Sequence, residues 1–154
     1  MGQSVIQLDS SLGYLLKEAS SALRLAMEDA LRPLGMTITH YSCLELLAQR
    51  PGLSNSELAR GTFVTRQSMN VLLQRLEKEG VVSRPASAAT GRTLPTELTD
   101  RGREQLAGAS AAVKRVEDAM LSGLAKDAQD QLRTHLKSCV DALEGGRPSS
   151  SPRV

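Results

Sequence analysis

The chain has 154 residues, the size of one ordinary domain, with Leu (24) and Ala (17) far outnumbering Val, Ile, Tyr and Phe together (14), and no Trp. That balance favours helix over sheet, and three aromatic residues exclude modules that stack bases on aromatic platforms. The net charge of +2 excludes a polycation, yet residues 64–93 hold five basic side chains (Arg66, Arg75, Lys78, Arg84, Arg92) against Glu77 and Glu79, a footprint suited to a phosphate backbone.

In chain order, Leu8 to Leu31 has helical period, with Leu8, Leu12, Leu15, Ala19, Ala22 and Ala26 on a stripe widened by Leu16, Leu23 and Ala30. So wide a stripe has more to bury than one neighbour covers. Arg32-Pro33 ends it, because a residue before proline leaves the α region. A second helix is predicted from His40 to Arg50, with Tyr41, Leu44, Leu47 and Ala48 inward, and Pro51-Gly52 breaks the chain after it. Ser54-Asn55-Ser56-Glu57 has the form of a capping box, flanked by the staple pair Leu53 and Leu58, and starts a short third helix that stops before Gly61. Thr65 caps a fourth helix running to Glu79, with Gly80 placed to take a left-handed conformation.

The β pattern follows. Val81 to Arg84 and Arg92 to Leu98 bracket a small-residue loop and read as a two-stranded hairpin, in which Pro95 must face away from the partner or lie at an edge. Thr99 caps a fifth helix with Leu106, Ala109, Val113, Val116 and Met120 at heptad-like spacing. A last helix, Lys126 to Leu143, aligns Leu132, Leu136, Val140 and Leu143, and residues 145–154 have the composition of a disordered tail.

Helix, short capped helix, turn, second helix and hairpin in that order spell a winged helix-turn-helix. In the fourth helix Met69, Leu72, Leu73 and Leu76 share one side, and Gln67, Asn70, Val71, Gln74 and Lys78 the other. Amides can pair with adenine edges and a Val methyl can meet a thymine methyl, so Gln67, Asn70, Val71 and Gln74 are the candidate readers of a major groove. Thr65, Arg66 and Ser68 sit where phosphate contacts set register near a helix N-terminus. Arg92, where the loop returns to the strand, is the candidate for an adjacent minor groove.

The segments Gly35-Met36-Thr37-Ile38-Thr39-His40-Tyr41, Leu58-Ala59, Leu76-Glu77-Lys78-Glu79-Gly80-Val81-Val82, and Arg92 followed by Leu98-Thr99-Asp100-Arg101-Gly102 stand in an order and spacing that resembles the multiple-antibiotic-resistance regulator (MarR) family of bacterial transcription factors, over about residues 8 to 144. The resemblance implies a mainly α protein: a winged helix-turn-helix with a two-stranded β wing, flanked by N- and C-terminal dimerisation helices. In residue ranges, that means a dimerisation helix in 1–34, a DNA-binding region in 35–101, dimerisation helices in 102–144 and a tail in 145–154, in a single globular whole. It further implies a homodimeric regulator, a repressor by expectation, on palindromic operators in double-stranded DNA, released by a small phenolic or anionic effector. Tyr14, His40 and Tyr41, the few polar-tipped rings in suitable helices, are the ligand-cleft candidates. Two departures stand out: Thr90 occupies the wing position where the family usually has an Asp to hold the tip Arg, and Pro95 is atypical of its strand.

Peroxide-sensing relatives place a cysteine near the start of the first helix, and none lies between Met1 and Leu34. An alternative is a metal- or thiol-responsive sensor using His40/Cys43 and His135/Cys139, paired at i,i+3 and i,i+4; the expectation is no metal and no cofactor. A helical interaction dimer without DNA binding is the other alternative. No phosphate loop, nucleophile elbow or His-Glu-x-x-His motif suggests an enzyme. The absence of a membrane-length apolar run, of a secretory leader and of a disulfide framework points to the cytoplasm, away from membranes.

Overall fold

Side-chain caps set most of the helix starts in the computed structural model, which describes residues 5–84 and 95–146. Helix α1 (Leu12–Leu31) begins where the Ser11 hydroxyl accepts the Tyr14 N–H at 3.3 Å. The expected start at Leu8 is therefore corrected: Leu8–Ser10 form a separate 3-10 turn, because Ser11 offers the cap and Leu8 does not. Thr37 caps α2 (Ile38–Gln49) by accepting from His40 N, Ser54 caps α3 (Asn55–Gly61) by accepting from Glu57 N, and Thr65 caps α4 (Arg66–Lys78) by accepting from Ser68 N. Each of these bonds satisfies an amide that the first helical turn leaves orphaned.

Gly80 ends α4 with φ 74°, donating to Glu77 O at 3.1 Å, while Val81 N–H donates to Leu76 O at 2.9 Å. This paired arrangement turns the chain straight into β1 (Val82–Ser83), which runs antiparallel to β2 (Glu97–Leu98) in the register Val82↔Leu98 and Ser83↔Glu97. The ladder is shorter than the predicted strands: Arg84, Pro95 and Thr96 lie outside it, and residues 92–94 lie outside the described residues. Pro95 has no amide hydrogen to offer a partner, so pairing begins beyond it.

Helix α5 (Asp100–Leu121) starts against the sheet, and α6 (Lys126–Gly145) follows it. Gly145, expected in the tail, is the last residue of α6, and residues 147–154 fall outside the description. The chain divides into two compact units, residues 1–116 and 117–154. In the first, Leu31, Leu44, Leu47, Leu58, Met69, Leu73, Leu76, Val81, Val82 and Ala109 are sealed from solvent in one core spanning α1 to α5. The inward face of α2 holds at Leu44, Leu47 and Tyr41, is wrong at Ala48, and extends to His40 and Cys43. His40, Cys43, Leu44 and Leu47 are buried, Tyr41 is half-buried and Ala48 is exposed.

In the same unit α1 buries only Leu31 and leaves Leu12, Tyr14, Leu15, Leu16 and Leu25 exposed. In the second unit α6 buries nothing, and Leu132, Leu136, Val140 and Leu143 are exposed along it. No helix among the described residues is long and apolar enough to cross a membrane.

Candidate nucleic-acid interface

The two faces of α4 differ as its sequence predicts. Met69, Leu73 and Leu76 are fully buried and Leu72 half-buried, which anchors the helix on the core. Gln67, Val71, Gln74 and Lys78 recur at helical spacing on the exposed side, with Val71 63% exposed, and Asn70 is half-buried at its edge. An aliphatic residue held that far out of the core contributes nothing to folding by burial, so its place on the outer face is available for contact with a partner. Thr65, Arg66 and Ser68 are exposed at the helix N-terminus, where the Thr65 hydroxyl accepts from Ser68 N at 3.1 Å and donates to Ser68 Oγ at 3.0 Å. Arg66 has no acidic neighbour within ion-pair distance among the described residues.

Two contacts tie the residues flanking the strands to α4 and to the turn that follows it. The Arg84 guanidinium, one-fifth exposed, lies 3.2 Å from the Glu77 carboxylate. At the other strand, Thr99 donates its N–H to Val81 O at 3.1 Å, its hydroxyl reaches the Gly80 and Val81 carbonyls, and the same hydroxyl accepts the Gly102 N–H at 3.1 Å. Gly102 is buried against this point, and a Cβ there would run into the Val81 carbonyl oxygen. The Leu98-Thr99-x-x-Gly102 spacing thus has a physical reading: a cap for α5 and a close backbone approach, three residues apart. Arg92 lies outside the described residues.

A separate open groove of about 940 Å³ runs between α1, the start of α2 and the α3–α4 turn. Leu23 and Met27 of α1, Ile38 of α2 and Phe63 of the turn supply its apolar lining, and Arg24, Glu28 and Arg32 supply charge. Arg24 pairs with Glu28 and Arg32 with Asp29, each at 3.0 Å. The ligand candidates are placed elsewhere. Tyr14 lines a shallower depression with Lys17 and Leu25 on α1, Tyr41 packs against the core, and His40 is 3% exposed. Among the described residues neither ring nitrogen of His40 has a hydrogen-bond partner, and burial holds its imidazole below the usual range, with Arg75 adding to that and Glu79 opposing it.

Sequence reasoning missed Phe63. It is 96% exposed and sits at φ 61°, the one non-glycine residue among those described with positive φ. Its N–H donates to Arg60 O and the Val64 N–H to Ala59 O, so a phenylalanine stands where a helix end usually takes glycine. The only sequence signal was its being the single Phe of the chain.

Cys43 is buried, its thiol pushed up to about 12 by burial, with Sγ 3.9 Å from Met69 Sδ. Cys139 is exposed on α6, on the same helix as His135. Among the described residues no three His, Cys, Asp or Glu side chains are grouped to hold a metal ion.

A helix-turn-helix whose second helix is followed directly by an antiparallel β pair is a winged helix-turn-helix. A model described as MarR family matches residues 34–93. The HTH-type transcriptional repressor Rv2887 of Mycobacterium tuberculosis is 43% identical over 129 residues, covering 84% of this chain and 93% of the relative. Its crystal structure in complex with DNA is similar with a TM-score of 0.72 (40% identity, 85% of this chain and 98% of that one), and its complex with salicylic acid with a TM-score of 0.71 (43%, 85% and 97%). The transcriptional repressor CouR bound to a 23-mer DNA duplex gives a TM-score of 0.78 at 30% identity, over 91% of this chain and 99% of that one. The chain belongs to the MarR family of transcriptional regulators.

Proposed function

We propose that this protein is a homodimeric, sequence-specific DNA-binding repressor whose grip on palindromic operators is released by a small aromatic anion. The observation that carries this reading is α4, a capped helix whose buried Met69, Leu73 and Leu76 hold Gln67, Val71 and Gln74 outward. Similarity to repressors crystallised on DNA supports the same role. In this reading Gln67, Asn70, Val71 and Gln74 meet base edges, Thr65, Arg66 and Ser68 fix the register on phosphates, and Arg92 enters the neighbouring minor groove.

The uncovered apolar stripes of α1 and α6 support dimerisation through residues 1–34 and 102–144, leaving 35–101 to bind DNA. Stripes of that extent on a lone protomer are an interface waiting for a second copy. The groove beside Leu23, Met27 and Ile38 suits the effector: a flat ring meets its apolar walls, and its carboxylate faces the charged rim of Arg24 and Arg32. Both cysteines are free, which fits a cytoplasmic regulator that works by binding.

The test is selection from a pool of random duplexes at two salt concentrations, with sequencing of the bound fraction. Enrichment of a palindrome with half-sites about one helical turn apart is expected. Salt-sensitive retention without enrichment would leave α4 a phosphate binder that reads no bases, and no retention by folded protein would favour a helical interaction dimer.

A further inference from the structure

Both acidic side chains between residues 64 and 84 are engaged by arginine. Glu79 pairs with Arg75, one turn back on α4, at 3.6 Å, and Glu77 lies 3.2 Å from Arg84, the residue that follows β1. Arg66 and Lys78 have no acidic partner within that reach among the described residues. The two pairs differ in what they join. Arg75 and Glu79 share one helix, whereas Glu77 and Arg84 lie on different elements, and their pairing links α4 to the β pair. Glu77 also stands among the outward residues: with Val71, Gln74 and Lys78 it lines one shallow depression on the exposed side of α4. A carboxylate in that place repels phosphate. Arg84 is the opposite case. A guanidinium free beside a duplex would add a contact to any phosphate, and such contacts carry no sequence information. Its side chain is instead one-fifth exposed, and its Nε is sealed from solvent without an aligned hydrogen bond among the described residues. The pair is therefore held by charge and not by a directed bond, so removing the charge of Glu77 frees Arg84.

We propose that Glu77 is a specificity-determining residue that acts through Arg84: by holding the guanidinium it fixes the β pair against α4 and keeps Arg84 off the phosphates. The inference rests on α4 being the helix that reads bases. Withholding a cation weakens binding to every duplex by a similar amount. A β pair fixed against α4 helps only a duplex whose grooves suit both elements together. The exchange favours the operator over random sequence, and Glu77 is the positioning residue that makes it.

The experiment uses the full chain on two duplexes of equal length, the palindrome recovered from the random pool and a scramble of it, read by fluorescence anisotropy from about 50 to about 200 mM salt. Glu77→Gln should bind the scramble about threefold tighter at the low-salt end and the palindrome no tighter, so that selectivity falls about threefold. The slope of log affinity against log salt should steepen by about one unit, the mark of one added phosphate contact. The double variant Glu77→Gln/Arg84→Gln, which leaves no charge unpaired, should return the slope to wild type and keep the selectivity low. A slope that stays steep in the double variant would place Glu77 in direct repulsion of the duplex and overturn the role of Arg84. A Glu77→Gln protein that melts lower yet keeps wild-type slope and selectivity would reduce the pair to a structural brace. If wild type itself does not distinguish the two duplexes, the base-reading role of α4 has failed first and the inference falls with it.

Discussion

Adding one methyl group at Gly102 should destabilise this protein, although it sits in a helix. In an open helical site Gly→Ala gains up to about 1 kcal/mol. At Gly102 the new Cβ would overlap the Val81 carbonyl oxygen and lie 3.2 Å from Leu98 Cδ2, with the obstruction being backbone and not a side chain that can swing away. Forcing a methyl into a packed site costs about 1–3 kcal/mol. The carbonyl that must retreat also accepts from Thr99 N, so the start of α5 loses about 1 kcal/mol more. The net loss is about 2 kcal/mol, or a fall in Tm of roughly 4–8 °C for a chain of this size. Thermal unfolding followed by circular dichroism at fixed protein concentration measures it. Gly108→Ala on the same helix is the control, since nothing lies within 4 Å of a Cβ there, and it should leave Tm unchanged or raise it. If the two variants shift Tm in the same upward direction, the close approach of α5 to Val81 is not what Gly102 is for.

Two further outcomes are expected. His40 is buried with an imidazole held below its ordinary range, so the unfolded chain takes up a proton near pH 6.5 that the folded chain refuses until lower pH. Stability therefore falls as pH drops through 6.5 towards the folded value, with a slope of at most about 1.4 kcal/mol per pH unit from this group. His40→Leu should flatten that part of a urea-midpoint profile between pH 7 and 5 and keep or raise the midpoint at pH 7, and an unaltered slope would show the ring is not buried neutral. For the thiols, native protein with a disulfide reagent at pH 8 should react at one equivalent per chain, lost in Cys139→Ser and retained in Cys43→Ser, because burial pushes Cys43 up to about 12. Rapid modification of Cys43 would revive the thiol-sensor alternative.

What could be read from the sequence was what local chemistry decides. Ser54, Thr65 and Gly80 act on amides and carbonyls within a few residues of themselves, so the starts of α3 and α4 and the end of α4 are visible without the fold, whereas α2, expected from His40, begins at Ile38 because Thr37 caps it. The outer face of α4 was visible for the same reason: Met69, Leu73 and Leu76 repeat strongly enough to define an inside. Features that depend on distant partners were not. The spacing of Tyr41, Leu44, Leu47 and Ala48 marks the inward face of α2 correctly at its leucines, but packing leaves Ala48 outside and turns His40 and Cys43 inward, and Cys43 meets Met69, 26 residues away. Ladder length depends on which amides of β2 find partners, and period-two patterning overran it. The groove draws on α1, α2 and the α3–α4 turn, so no one segment announces it, and a phenylalanine in a left-handed turn contradicts the propensity from which turns are recognised.

Val81 belongs to three elements at once. It closes α4 through its N–H to Leu76, leads into β1, and receives Thr99 at the start of α5 with its carbonyl, all from a fully buried position. None of the exposed residues of α4 takes part in that joint. A lineage can therefore vary Gln67, Val71 or Gln74, the proposed readers of base edges, without loosening the frame that presents them. The same economy works against change in the frame: a substitution at Val81, Thr99 or Gly102 is felt by every duplex the protein binds. New regulatory targets should accordingly arise in this architecture by drift on one face of one helix, while the residues behind it stay fixed.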